Sequence, residues 1–147
     1  MPSNRSGENR SVETVLDSTL DSVDTAEQIV LRAATDVGFG EDELHKIGVA
    51  IREAMVNAVV HGNRYSAHKK VRLAVSEAPD RLTIRIQDEG EGFDVASLPD
   101  PLAAENLLRQ SGRGILLIRA FVDEFHVRHL ESGGTELSLV LYRTRSS

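Results

Sequence analysis

The stretch Glu53-Ala54-Met55-Val56-Asn57-Ala58-Val59-Val60-His61-Gly62 decides how this chain folds. Wound at about 100° per residue, it continues an apolar stripe made of Ile47, Ala50, Ile51, Ala54, Met55, Ala58 and Val59. Val49, Val56 and Val60 form a second stripe. Glu53, Asn57 and His61 stand four residues apart and fall along the edge between the two. A carboxylate and an amide held between apolar stripes do not face bulk water, and buried polar groups need partners. Either the protein or a ligand must supply them. Acidic Glu41-Asp42-Glu43 suits the positive end of this helix, and Gly62 ends it, so the expected span is roughly 41–61.

Upstream, Ala26, Ile29, Val30, Ala33, Ala34 and Val37 predict another helix. Asp24 reads as its N-cap, with Glu27 as capping-box partner, and Gly38 and Gly40 close it. A weak alternation from Val12 to Leu20 predicts an edge strand within 12–20. Residues 1–11 read as a flexible tail, leaving 12–147 as a single domain.

Downstream, Val71, Leu73 and Val75 alternate with polar or small residues, as do Leu82, Ile84 and Ile86. A turn at Glu77-Ala78-Pro79-Asp80 makes them an antiparallel hairpin. The second strand runs out at Asp88 into Glu89-Gly90-Glu91-Gly92. Residues 93–111 carry Pro99 and Pro101 and fit either a short helix near 102–109 or a loop. Gly112-Arg113-Gly114 opens an apolar helix, and strands at 124–130 and 134–142 close the chain. The order β, α, α, β, β, lid, α, β, β implies an α/β sandwich: one mostly antiparallel sheet with helices on one face. The other face would carry Thr83, Arg85, Gln87, Glu136 and Ser138.

Composition limits what such a domain can do. Of 147 residues, 40% are hydrophobic and 27% charged, enough for a core and unlike a disordered chain. Cysteine is absent, which removes disulfides and thiolate metal sites and fits a cytoplasmic protein. No apolar run reaches the ~18–20 residues of a membrane span, and the polar N-terminus is no secretory signal. A formal charge of −6 argues against nucleic acid as a partner. The basic group Arg64, His68, Lys69, Lys70 and Arg72 reads as a solvated loop leading into a strand.

Four local features carry chemistry: Glu53-x-x-x-Asn57, Asp88-x-Gly90-x-Gly92, Gly112-x-Gly114 and Gly134-Thr135. Singly, each has a bland reading as a polar pair, a turn or a flexible helix entry. Together they suit a nucleotide. Glycine-rich turns and helix N-termini bind phosphate through unobstructed backbone N–H groups, and Arg113 adds charge. Mg²⁺ takes oxygen ligands while keeping waters and phosphates, and the Asn57 side-chain oxygen offers one. Asp88 can accept hydrogen bonds from a base's exocyclic amine, and Gly90 and Gly92 let a flat ring approach the backbone. Glu53, one turn from Asn57, is placed for a hydroxyl or water near a γ-phosphate.

These elements, in this order and spacing, resemble the GHKL or Bergerat-fold ATPases over about residues 12–143. Residues 53–62 are similar to the N box, 88–94 to the G1 box and 111–115 to the G2 box. A lone short domain with Asn-Ala-x-x-His-Gly and Gly-Arg-Gly-Ile-x-Leu-Ile resembles the bacterial anti-sigma-factor serine/threonine kinases in particular. The resemblance implies ATP and Mg²⁺ as cofactors, Asn57 as metal ligand and Glu53 as catalytic base. It implies Asp88, Gly90, Gly92 and Thr135 at the adenine, and Gly112, Arg113 and Gly114 at the phosphates. It further implies a homodimer whose partners are a sigma factor and an anti-anti-sigma (STAS-domain) protein phosphorylated on Ser or Thr. An ATP-binding module that sequesters a partner without phosphotransfer, and a non-catalytic domain whose glycines are turns, are the alternatives.

Overall fold

A computed structural model describes residues 10–90 and 114–143. Strand β1 (Arg10–Asp17) leads into helices α1 (Asp21–Val37) and α2 (Glu41–Val56). A π-helical segment (Asn57–Gly62) continues α2. Strands β2 (Lys70–Ala78) and β3 (Arg81–Gln87), helix α3 (Gly114–Phe121) and strands β4 (Glu124–His129) and β5 (Thr135–Tyr142) follow. The sheet order is β1-β2-β3-β5-β4. All four neighbouring pairs are antiparallel, so no parallel pair is present among the described residues. β1 begins at Arg10, inside the stretch expected to be tail; the rest of that stretch, and the proposed 102–109 helix, lie outside the described residues.

Alternation along the strands sends every second side chain to one face. Leu73, Val75, Leu82, Ile84, Ile86, Leu137, Leu139 and Leu141 thereby meet the helices and are buried. Ile84 sits at the middle, opposite Val75 on one side and Leu139 on the other. Truncating such a side chain to Ala would cost about 2–5 kcal/mol. Val23, Ala26, Val30 and Ala34 of α1, Ile47, Ile51, Ala54 and Met55 of α2, and Ile115 and Ile118 of α3 complete the core. On the opposite face Thr83 pairs with Val140, Arg85 with Ser138 and Gln87 with Glu136, as the polar row required.

Two boundaries differ from the sequence expectation. Helix α1 starts at Asp21, so Asp24 lies in its first turn and caps nothing. Its carboxylate instead joins that of Glu27 on Arg52 of α2, at 2.7 and 2.8 Å. The capping signal was thus a tertiary ion pair, exposed and worth little by itself. Glu43 supplies the capping contact of α2, accepting from the Gly40 N–H at 2.9 Å. The long helix changes winding after Val56: the Asn63 N–H donates to the Ala58 carbonyl, five residues back, at 2.8 Å. Single-turn π segments of this kind are frequent at functional sites.

Candidate functional site

Two groups of residues assemble at the two ends of the π-helical segment. The first forms around Asn57. Its Nδ2 donates to the Glu53 carbonyl at 3.1 Å, which uses the amide nitrogen locally and leaves Oδ1 without a hydrogen bond among the described residues. Both side chains are half-buried. Gly114, the first residue of α3, packs against them. A Cβ there would stand 2.7 Å from Glu53 Oε1 and 3.6 Å from Asn57 Nδ2. Glu53, Asn57 and Gly114 therefore come together as expected. His61 does not join them. It is exposed, because the wider π winding breaks the four-residue register after Asn57.

The second group surrounds Asp88, which is 8% exposed at the end of β3. Its Oδ1 accepts from the Gly90 N–H at 3.0 Å and the Thr135 N–H at 3.1 Å. Its own N–H donates to the Thr135 carbonyl at 3.0 Å. Thr135 is thus beside Asp88, as the sequence implied, though through its backbone. Burial pushes the Asp88 carboxyl above its usual range. The two N–H donors, with Lys69 and His129 further off, oppose that shift.

The chain closes around this carboxylate. A Cβ on Gly62 would lie 2.5 Å from Asp88 Cγ, and one on Gly90 would lie 2.5 Å from the Gly62 carbonyl carbon. Gly134, at φ +99°, would place a Cβ 3.0 Å from the Asp88 carbonyl carbon. Glycine is needed at Gly62 and Gly90 for close approach, and at Gly134 for its positive φ as well. Gly92, Gly112 and Arg113 lie outside the described residues.

Asn63 was not anticipated. It is 1% exposed and satisfied on every side. Nδ2 donates to Ser18 Oγ at 2.8 Å and to the Lys70 carbonyl at 2.9 Å, while Oδ1 accepts from the Glu89 N–H at 2.7 Å. The sole local signal was an Asn directly after the glycine that ends a helix, which also describes an ordinary helix terminus.

A carboxylate with one oxygen held by backbone and walled by glycines presents an acceptor to a flat ligand. The Glu53 and Asn57 oxygens present a second, separate polar end. Among the described residues no cluster of three or more His, Asp or Glu could hold a metal ion alone. Any divalent cation there would complete its shell with phosphate and water.

A family model described as a histidine kinase-like ATPase domain matches residues 16–141. The chain belongs to this family. The antiparallel sheet with helices on one face is the family's fold, as the sequence implied. Among curated proteins, an anti-sigma F factor of Bacillus thuringiensis is 36% identical over 110 residues, spanning 72% of this chain and 74% of that protein. An anti-sigma F factor of Oceanobacillus iheyensis is 31% identical over 107 residues, 71% of this chain and 73% of that one. Among solved structures, the RsbU and RsbW domains of Rv1364c from Mycobacterium tuberculosis superpose with a TM-score of 0.67 at 21% identity. The match takes in 94% of this chain and 34% of that one, so this chain corresponds to about a third of the longer protein. No helix among the described residues is long and apolar enough to cross a membrane.

Proposed function

We propose that this domain is an ATP-dependent serine/threonine protein kinase acting as an anti-sigma factor, which binds a sigma factor and phosphorylates a STAS-domain anti-anti-sigma protein. The observation that carries the reading is the pairing of Glu53 and Asn57 beside Gly114, with an intact Asp88 cradle at the other end of the same winding. Similarity to anti-sigma F factors supports the partner class.

Asp88 accepts from the exocyclic amine of adenine, and the close approach of Gly90 to the Gly62 backbone holds the turn beside it. Asn57 Oδ1 would hold Mg²⁺, which would neutralise charge on the phosphates. Bound Mg-ATP supplies the phosphoryl group. Glu53 takes the proton of the partner's Ser or Thr hydroxyl as that oxygen bonds phosphorus and ADP departs. Phosphoryl transfer depends mainly on positioning and charge neutralisation, so the base contributes at the low end of its usual ~10²–10⁴-fold.

The test is single-turnover labelling of a purified STAS protein with radioactive ATP. Glu53→Gln keeps size and hydrogen bonding, so ADP affinity and the melting curve stay near wild type while labelling slows about a hundredfold. Wild-type labelling by the mutant would remove Glu53 from the chemistry. Tight ATP binding by wild-type protein with no labelling would favour the sequestering module.

A further inference from the structure

We infer that Asn63 is a positioning residue for the base end of the nucleotide, acting through the turn that follows Asp88. The inference rests on the adenine reading of Asp88 given above.

Three chain segments meet on this one side chain. Ser18 follows β1, Lys70 begins β2, and Glu89 follows β3. Asn63 donates to the first two and accepts from the third, which uses both polar atoms of its amide. The adjoining contacts lock the same corner. Ser18 Oγ donates to the Lys69 carbonyl at 2.5 Å, and the Lys70 N–H donates to Glu89 Oε1 at 2.8 Å. The residue accepted at Oδ1 is decisive. Glu89 stands between Asp88 and Gly90, and the Gly90 N–H is one of the two donors that orient the Asp88 carboxylate. Fixing the Glu89 amide fixes the peptide on either side of it, and with it the direction of that donor. None of the Asn63 hydrogen bonds goes to the carboxylate itself.

A shallow surface turn needs no such device. Here the brace is buried, so losing it leaves an amide N–H without a partner and lets the turn relax toward water. A relaxed turn still carries a carboxylate, but one no longer aimed at a fixed point. The expected loss is in selectivity between bases more than in capacity to bind phosphates.

The measurement is calorimetry with ADP and with inosine diphosphate, whose carbonyl replaces the exocyclic amine, at a temperature where every variant is fully folded. In Asn63→Ala the ADP-to-IDP affinity ratio falls about tenfold, equivalent to about 1.4 kcal/mol. Val30→Ala, a destabilised control in the core of α1, keeps the wild-type ratio. Asn63→Asp, which retains the acceptor for Glu89, restores most of the ratio while its melting temperature stays lowered. If Asn63→Ala does not fold, Asn63→Ser carries the same expectation, since its hydroxyl is too short to reach from the Lys70 carbonyl to the Glu89 amide. A wild-type ratio in a folded Asn63→Ala or Asn63→Ser protein overturns the inference. Wild-type protein that binds ADP but does not distinguish it from IDP removes the adenine role of Asp88 instead.

Discussion

Replacing Gly62 by Ala tests whether the Asp88 carboxylate is held by steric closure. The added Cβ would stand 2.5 Å from Asp88 Cγ, about 1 Å inside ordinary van der Waals contact. Asp88 is the movable partner, because the opposing atoms of Gly62 belong to the backbone of a helical segment. A shift of about 1 Å takes Oδ1 out of reach of the Gly90 and Thr135 N–H groups, now at 3.0 and 3.1 Å. Hydrogen bonds to a charged group are worth ~1.5–3 kcal/mol each, and overpacking commonly costs ~1–3 kcal/mol. Partial relaxation leaves a net cost of about 3 kcal/mol. For a domain of this size that lowers the melting temperature by roughly 10 °C. Affinity for ADP falls about 10–100-fold, since the same carboxylate is displaced. Thermal melts and calorimetry read both quantities. The decisive comparison is a double-mutant cycle with Asp88→Ala. Without the carboxylate the two shortest approaches vanish and the nearest that remains is 3.0 Å, to the Cβ of residue 88, which a few tenths of an ångström relieves. Gly62→Ala then costs little in that background. An undiminished cost there would refute the clash as the cause.

Asp88→Asn keeps an oxygen for both N–H donors but no longer accepts at its second position, so ADP affinity drops roughly 10–150-fold with the fold retained, read by calorimetry. The same substitution has a pH signature. Because burial raises the Asp88 pKa in the folded state, its stabilising effect is complete below the unfolded value and is lost as pH rises through the folded one. The stability advantage of Asp88→Asn over wild type is therefore largest near neutrality and closes as pH falls through that raised value into the ordinary aspartate range, which paired denaturant titrations would follow. Asn57→Ala renders nucleotide binding insensitive to Mg²⁺; titrations with and without EDTA that still differ as in wild type would exclude it as the ligand. The dimer implied by the family resemblance predicts a light-scattering mass of about twice the 16.1 kDa monomer, and a monomer mass at high concentration counts against it.

Periodicity carried the fold well because its causes are local. The hairpin of β2 and β3, the apolar face of α2 and the alternation of β5 all follow from which residues can share a buried face. Asp88 was legible for the same reason: a carboxylate where an alternating strand runs into glycines. What escaped depended on distant partners. Asp24 and Glu27 have the spacing of a capping box, and nothing local reveals that Arg52 claims both. Gly62 reads as a helix end, whereas its place against Asp88 exists only once β3 has docked. Asn63 bonds to Ser18 across 45 residues. The change to π winding has no hydropathy period of its own, so His61 was wrongly grouped with Glu53 and Asn57.

The position of β1 has a consequence for how the molecule comes together. β2 and β3 are joined by a turn of two residues, Pro79 and Asp80, and close almost locally. β1 reaches β2 only after two helices have been laid down, with Asp17 pairing with Lys70 across 53 residues. By chain statistics the longer closure costs about 3 kcal/mol more in entropy, and such distant pairings slow folding. β1 also has one neighbour in the sheet, so less interaction is returned when it arrives. It is thus the strand that completes the sheet late and leaves it readily. Ser18 arrives with it. The brace on Asn63 is finished by the most distant strand closure in the sheet, and the turn beyond Asp88 acquires its final rigidity only at that step.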